Sequence, residues 1–333
     1  TRNFFESTSF GPNIPIYAVS AKENIGFDEL KNGIFESIET LEIKRDFKGD
    51  LIIPIDHYFS IKGRGAVITG TILKGKLKLN QNLKVLPIHT SGRVKNIQIF
   101  RQNVESAKAG DRVGINVKNL DVKKLYRGCY ATNNPEAFDF CNITEVKVNH
   151  NKLFKPVTNF GTQIHTTIGM LTTAGNIYPY YEWNGKKIAT TASNKDRGFK
   201  AILILKEKVL IRKEKLIMLL SRLDLPPTTL RILGSAELVK ICTKIPLFYK
   251  YKVKRGRIQN PDHSQGIVCS GLAQSAVGAK KIVGRKLEEP YTKILDTFGT
   301  KGSVIVGIKS KEVKVAKGDL VLLKELRSFH IKI

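Results

Sequence analysis

From residue 50 onward the chain returns repeatedly to one short alternation of apolar and polar positions. In the stretch Ala66 to Ile72, Ala66, Ile68 and Ile72 fall on one side and Val67, Thr69 and Thr71 on the other, the period of two that half-buries a strand. Phe59, Ile61, Ala66 and Ile68 predict the two arms of a hairpin. Gly63-Arg64-Gly65 then forms its turn, because glycine tolerates positive φ. A phosphate-cradling loop would need a helix after its glycines; a strand follows instead. Similar alternation marks "GRVKNIQIF", "RVGINVKNL" and "KAILILKEKVLI", with Gly, Asn, Asp and Pro between them, and this spacing predicts barrels or sandwiches.

The first forty residues follow another pattern. "IPIYAVS" predicts a short strand, and Leu30, Ile34, Ile38 and Leu41 share one face of a helix. Polar breaks near Asn133-Asn134-Pro135 and after "LRILGSAELVKI" divide the rest. The expected units are an α/β fragment at 1–45 and three β-barrels at 46–135, 136–242 and 243–333, each long enough for one core. The predicted fold is mainly β.

The 333 residues are 41% hydrophobic, enough for two or three cores. No apolar run reaches membrane-spanning length, and "TRNFFESTSF" lacks the features of a signal peptide, so a cytoplasmic monomer is expected. Cys129, Cys141, Cys242 and Cys269 stand apart without metal-ligand spacing, which predicts neither a zinc site nor a disulfide framework.

Charge changes the picture. The chain carries a net +27, but residues 1–45 hold 5 basic and 7 acidic side chains while residues 243–333 hold 19 and 7. A positive excess sustained over three successive segments points to a polyanionic partner, nucleic acid first.

"VSAKENIGFDEL" resembles the SAK guanine-nucleotide motif of translation GTPases. By that resemblance Ser20, Ala21 and Lys22 bind guanine nucleotide, the Ala21 N–H meeting the base. "IPIDHYFSIKGRGAVITGTILKGKLKLNQNLKVLP", "RVKNIQIFRQNVESAKAGDRVGINVKNL" and "YRGCY" resemble the second domain of elongation-factor GTPases. "IHTTIGML", "RLDLPPTTLRILG", "GLAQSAVGAKKIVG" and "TFGTKGSVIVGI" are similar to the third and fourth domains of the archaeal type of selenocysteine-specific elongation factor. The family's phosphate loop, switch and NKxD elements do not stand ahead of the SAK motif, so the resemblance places the catalytic residues, and most binding of GTP/GDP and Mg2+, outside this sequence. The function it implies is GTP-dependent delivery of selenocysteyl-tRNA to the ribosome at recoded UGA codons. The alternatives are a γ-type initiation factor delivering initiator tRNA and a nucleotide-free RNA-binding barrel protein.

The same resemblance puts the selenocysteyl group against Asp56, His57 and Arg112. General elongation factors carry two acidic residues where Asp56 and His57 stand. A selenol is more acidic than a thiol, whose reference pKa is about 8.5, so selenocysteine arrives as an anion and serine does not. Opposite charges about 4 Å apart attract by roughly 4 kcal/mol at an effective dielectric near 20, less the desolvation cost. Arg112 and His57 are then the selecting groups, and Asp56 orients them. Taken without the resemblance, the same residues read as a turn cap, a half-buried filler and a local Arg112–Asp111 pair. His165 is expected to pack or hydrogen-bond inside the barrel at 136–242, and "RLDLPPTTLRI" to be a proline-fixed turn. In "KYKVKRGRI", Lys250, Lys252, Lys254, Arg255 and Arg257 are candidate RNA contacts, with a solvated basic edge strand as the alternative. The resemblance points that segment toward the selenocysteine-insertion element of the messenger or a protein bound to it.

Overall fold

The computed structural model describes residues 1–333 except 7, 9, 62–64, 194, 215, 311 and 332–333. The Gly63-Arg64 turn lies outside the described residues, but its two arms are present as expected. His57–Ile61 and Gly65–Thr71 pair antiparallel, with Tyr58 opposite Ile68 and Ser60 opposite Ala66.

These arms end an eight-stranded sheet. Gly65–Thr71 continues to Arg112–Lys118, then to Thr90–Ile99, Asn82–Leu86, Tyr130–Thr132 and Ile52–Pro54. Ile52 donates its N–H to the carbonyl of Lys74 at 3.1 Å and accepts from Leu73 at 2.8 Å, so the sheet curls back on itself. Alternation fills the inside with Ile53, Ile68, Val85, Ile97, Val113, Ile115 and Val117. It leaves Phe59, Ile61, Val67 and Thr69 on the outer wall.

A second ring closes in the third segment. Phe138–His150 pairs with Gly198–Arg212 and Ile232–Ile241, and Leu171–Trp183, Thr162–Ile168 and Ile217–Ser221 complete the circuit of six strands. Val148, Ile164, Ile177, Leu203, Met218 and Leu220 fill it. The predicted proline turn is there: Thr229 N–H donates to the Pro226 carbonyl, and Arg222 forks onto Asp224. His165 departs from expectation. Its neighbours Ile164 and Thr166 take the inward positions, so the imidazole lies half-buried on the outer side.

The fourth segment pairs Phe248–Asn260 with Leu320–Phe329 and Ile267–Ser270, the latter leading to Ser303–Ile308 and Tyr291–Phe298. Its core holds Ile258, Cys269, Ile294, Val304, Val306 and Leu323. Lys186–Ala189 runs parallel to the start of Phe248–Asn260, joining the third and fourth segments into one continuous sheet. Phe248 is fully buried there, with the rings of Phe160, Tyr178, Tyr180 and Phe329 within 6.4 Å. Burying one such ring contributes about 2–3 kcal/mol, which stiffens the joint.

In the first segment Phe27–Thr40 is helical as expected. Gly26 opens it at φ +81, where a Cβ would stand 2.2 Å from the Ala18 carbonyl oxygen, so only glycine fits. The phenol of Tyr17 occupies the space a side chain at Gly33 would need. Ile34, Phe35, Ile38 and Leu41 remain exposed. The strand expected at "IPIYAVS" does not form among the described residues: apart from the Ser20–Ile25 bridge, the segment has no neighbouring strand. Alternation alone supplies no ladder partner.

Candidate functional site

Asp56 and His57 enter the first barrel at the start of His57–Ile61, and Arg112 opens the strand Arg112–Lys118. Between them runs Gly65–Thr71, with Thr69 opposite His57 and Thr71 opposite Arg112. Three neighbouring strands therefore bring the predicted residues together. Arg112 Nη1 donates to Asp56 Oδ2 at 2.5 Å, and Thr69 Oγ1 donates to Oδ1 at 2.5 Å. His57 Nδ1 stands 3.3 Å from the same Oδ1.

The Asp56 side chain is 11% exposed and that of His57 is 77% exposed. Burial by itself would raise the Asp56 carboxyl. Hydrogen bonds from Arg112, Thr69 and His57, with the guanidinium charge, outweigh it and hold the group at about 2. Asp56 is thus a permanent anion whose two oxygens anchor its neighbours, and it is unsuited to proton transfer near neutrality. The local Arg112–Asp111 pair does not form: Asp111 accepts from the Lys108 N–H and lies 3.6 Å from Arg45. Arg112 keeps further N–H donors and His57 keeps Nε2, both beyond what Asp56 engages.

A groove of about 720 Å³ runs down the outer wall beside this cluster. Phe59, Ile61 and Val67 make its apolar side, and Lys95, Asn96, Gln98, Asn116 and Lys118 its polar side. Gly114 lies between Thr69 and Gln98 in the register, and a Cβ there would meet nothing within 4 Å. Its bare backbone leaves the cluster and the groove open to each other.

The basic residues of the fourth segment do not form one patch. In a strand successive side chains face opposite ways, so Lys250, Lys252 and Lys254 share one face while Arg255 and Arg257 take the other. Lys254 lies 3.3 Å from Glu325, a side chain only 6% exposed that also meets Arg285 at 2.5 Å and Arg327 at 2.8 Å. Lys250 sits over the Phe329 ring, and Arg257 donates to the Gly318 carbonyl.

Comparison with known proteins decides the family. The profile for elongation factor Tu domain 2 matches residues 65–132, and that for domain III of the archaeal selenocysteine-specific elongation factor matches residues 141–242. The selenocysteine-specific elongation factor of Methanocaldococcus jannaschii is 35% identical over 98% of this chain and 70% of its own length. The chain belongs to the selenocysteine-specific elongation factors. In the crystal structure of elongation factor SelB from Methanococcus maripaludis the same fold recurs, with a TM-score of 0.84 at 33% identity over 99% of this chain and 74% of that one. A second crystal structure of that protein holds the GTP analogue GppNHp. The mouse selenocysteine-specific elongation factor is 34% identical over 51% of this chain and 30% of its own length. The family is one of translation GTPases, and a γ-type initiation factor is no longer a competing reading.

In this chain the SAK segment is a tight turn. Ser20 pairs with Ile25, Ser20 Oγ accepts from the Glu23 N–H, and Ala21 and Lys22 are exposed at the tip. Among the described residues no group of three or more His, Cys, Asp or Glu side chains is placed to hold a metal ion.

Sequence reasoning missed Thr69, whose only signal was a hydroxyl on the outward side of its strand. It also missed Phe100, at the tip of the turn joining Thr90–Ile99 to Gln102–Val104. Phe100 and Arg101 both take positive φ, and Phe100 is 92% exposed. Apolar bulk in a left-handed turn costs about 1–2 kcal/mol, with no packing to offset it.

Proposed function

We propose that the chain is the tRNA-binding part of a factor that delivers selenocysteyl-tRNA to the ribosome with GTP, and that Asp56, His57 and Arg112 receive the selenocysteyl side chain. The observation that carries this is the shared carboxylate: Asp56 engages a guanidinium and an imidazole from the two strands that flank Gly65–Thr71, and each keeps donors that Asp56 does not use. A selenolate fits such donors as a charged acceptor; a seryl hydroxyl offers them only a neutral one. The Asp56 charge formally cancels that of Arg112, so selection rests on Arg112's unspent N–H groups and on His57. Discrimination near tenfold, or about 1.4 kcal/mol, is the expected scale.

The terminal nucleotide, joined to the amino acid, then lies in the adjoining groove. Phe59, Ile61 and Val67 offer a face to its base, and Lys95 and Lys118 offer charge to its phosphates. Phe100 and Arg101 extend the same wall. Ser20, Ala21 and Lys22 contact guanine nucleotide, whose phosphates and Mg2+ other parts of the factor hold. In the fourth segment Lys250, Lys252, Lys254, Arg255 and Arg257 face RNA, with Lys254 positioned through Glu325; the selenocysteine-insertion element of the messenger is the RNA this reading names.

The test is His57→Asp in the full-length gene product, which restores the acidic pair of general elongation factors. Selenocysteyl-tRNA should bind more weakly while seryl-tRNA on the same tRNA body is unaffected. Equal loss for both would overturn the assignment.

A further inference from the structure

We infer that an aromatic and basic sheet face, shared by the third and fourth segments, binds an unpaired stretch of RNA. This deepens the RNA contact proposed for the fourth segment and is independent of the aminoacyl site. The parallel pairing of Ile188 with Tyr249 continues one sheet across the two segments. Trp183, Lys186, Tyr249 and Tyr251 lie on one side of this seam, flanking the buried Ile188. At one end the hairpin Leu171–Trp183/Lys186–Ala189 turns through Asn184-Gly185, both at positive φ as a two-residue hairpin requires. Trp183 and Lys186 oppose each other there. Trp183 is 50% exposed, and Lys186 Nζ lies over the Tyr249 ring at 5.1 Å. Along Phe248–Asn260 the same face carries Tyr251, Arg255 and Arg257.

Large aromatic side chains left in water at an open sheet face, with cations between them, have the chemistry of a stacking platform. Each ring accepts the face of a base, and each cation meets the backbone that links the bases. A duplex hides its base faces and cannot use the rings. The acidic Glu288 near this face is already held by Lys324, so a polyanion meets no free carboxylate from that pair. The opposite side of the same strand, with Lys250 and Lys252, lacks exposed rings and suits phosphate contact alone.

Trp183 is the sole tryptophan of the chain, which makes the test direct. The full chain is titrated with a short unstructured oligoribonucleotide while tryptophan emission is recorded. Stacking on Trp183 should quench that emission in step with binding. Tyr251→Ala should weaken affinity about tenfold, Tyr251→Phe should retain it, and Arg255→Ala should lower the salt slope by about one. A duplex of the same sequence should compete poorly. Binding without quenching, equal competition by the duplex, or losses confined to Lys250→Ala and Lys252→Ala would each overturn the platform. The last result would leave a basic RNA contact in the fourth segment standing, so the two proposals fail separately.

Discussion

Arg112 and Asp56 stand 56 positions apart in the chain and meet at 2.5 Å across the outer wall of one barrel. That bond places a cation where three strands converge and holds the carboxylate ionised far below neutrality. Asp56 therefore contributes stability above the ordinary carboxylate pKa, and the contribution disappears as pH falls toward 2. Asp56→Asn should cost about 1–2 kcal/mol at neutral pH after allowance for its exposed partners. The difference from the parent should vanish in acid, as urea melts at several pH values will read.

Much of this arrangement was legible in the sequence. The alternation of Ala66 to Ile72 assigns inward and outward residues correctly because one face of a barrel wall must be dry. The resemblance selected Asp56, His57 and Arg112, and the register then brought them together. Pairing partners were not legible, since alternation does not say which strand lies beside which. For that reason Thr69 and the groove went unseen, and Arg112 had a plausible local partner in Asp111. The basic run from Lys250 to Arg257 was visible as composition, while its division between two faces emerged only with the strand. The helix Phe27–Thr40 was legible from its period, although its apolar face is exposed among the described residues.

His150 supplies a second pH effect. Its imidazole is buried between Phe154 and Phe199. Burial lowers its pKa, against weaker opposing effects of the Asn151 backbone and Asp196. The unfolded chain then takes up the proton more readily than the folded one. Stability should be full above about pH 6.5 and fall below it, by at most about 1.4 kcal/mol per pH unit from this group. His150→Phe should flatten that slope in thermal melts at pH 5 to 8.

Glu325 pairs with three cations, Lys254, Arg285 and Arg327, and offsets one of their three charges. Burial alone would raise its carboxyl, but Arg327, Lys254 and Arg285 together hold it below the ordinary value. Glu325→Gln leaves Lys254, Arg285 and Arg327 facing one another and should cost about 2–4 kcal/mol in chemical denaturation. Arg327→Ala removes a half-exposed partner and should cost less than about 1 kcal/mol.

The central claim is that donors organised by Asp56 distinguish selenocysteine from serine through the charge on selenium. The direct measurement is the equilibrium affinity of the full-length gene product for selenocysteyl-tRNA and seryl-tRNA on one tRNA body, before and after Arg112→Ala. A preference near tenfold that collapses in the variant, with seryl-tRNA binding little changed, is the predicted result. A preference that survives Arg112→Ala intact, or affinities that fall by the same factor for both tRNAs, would contradict it.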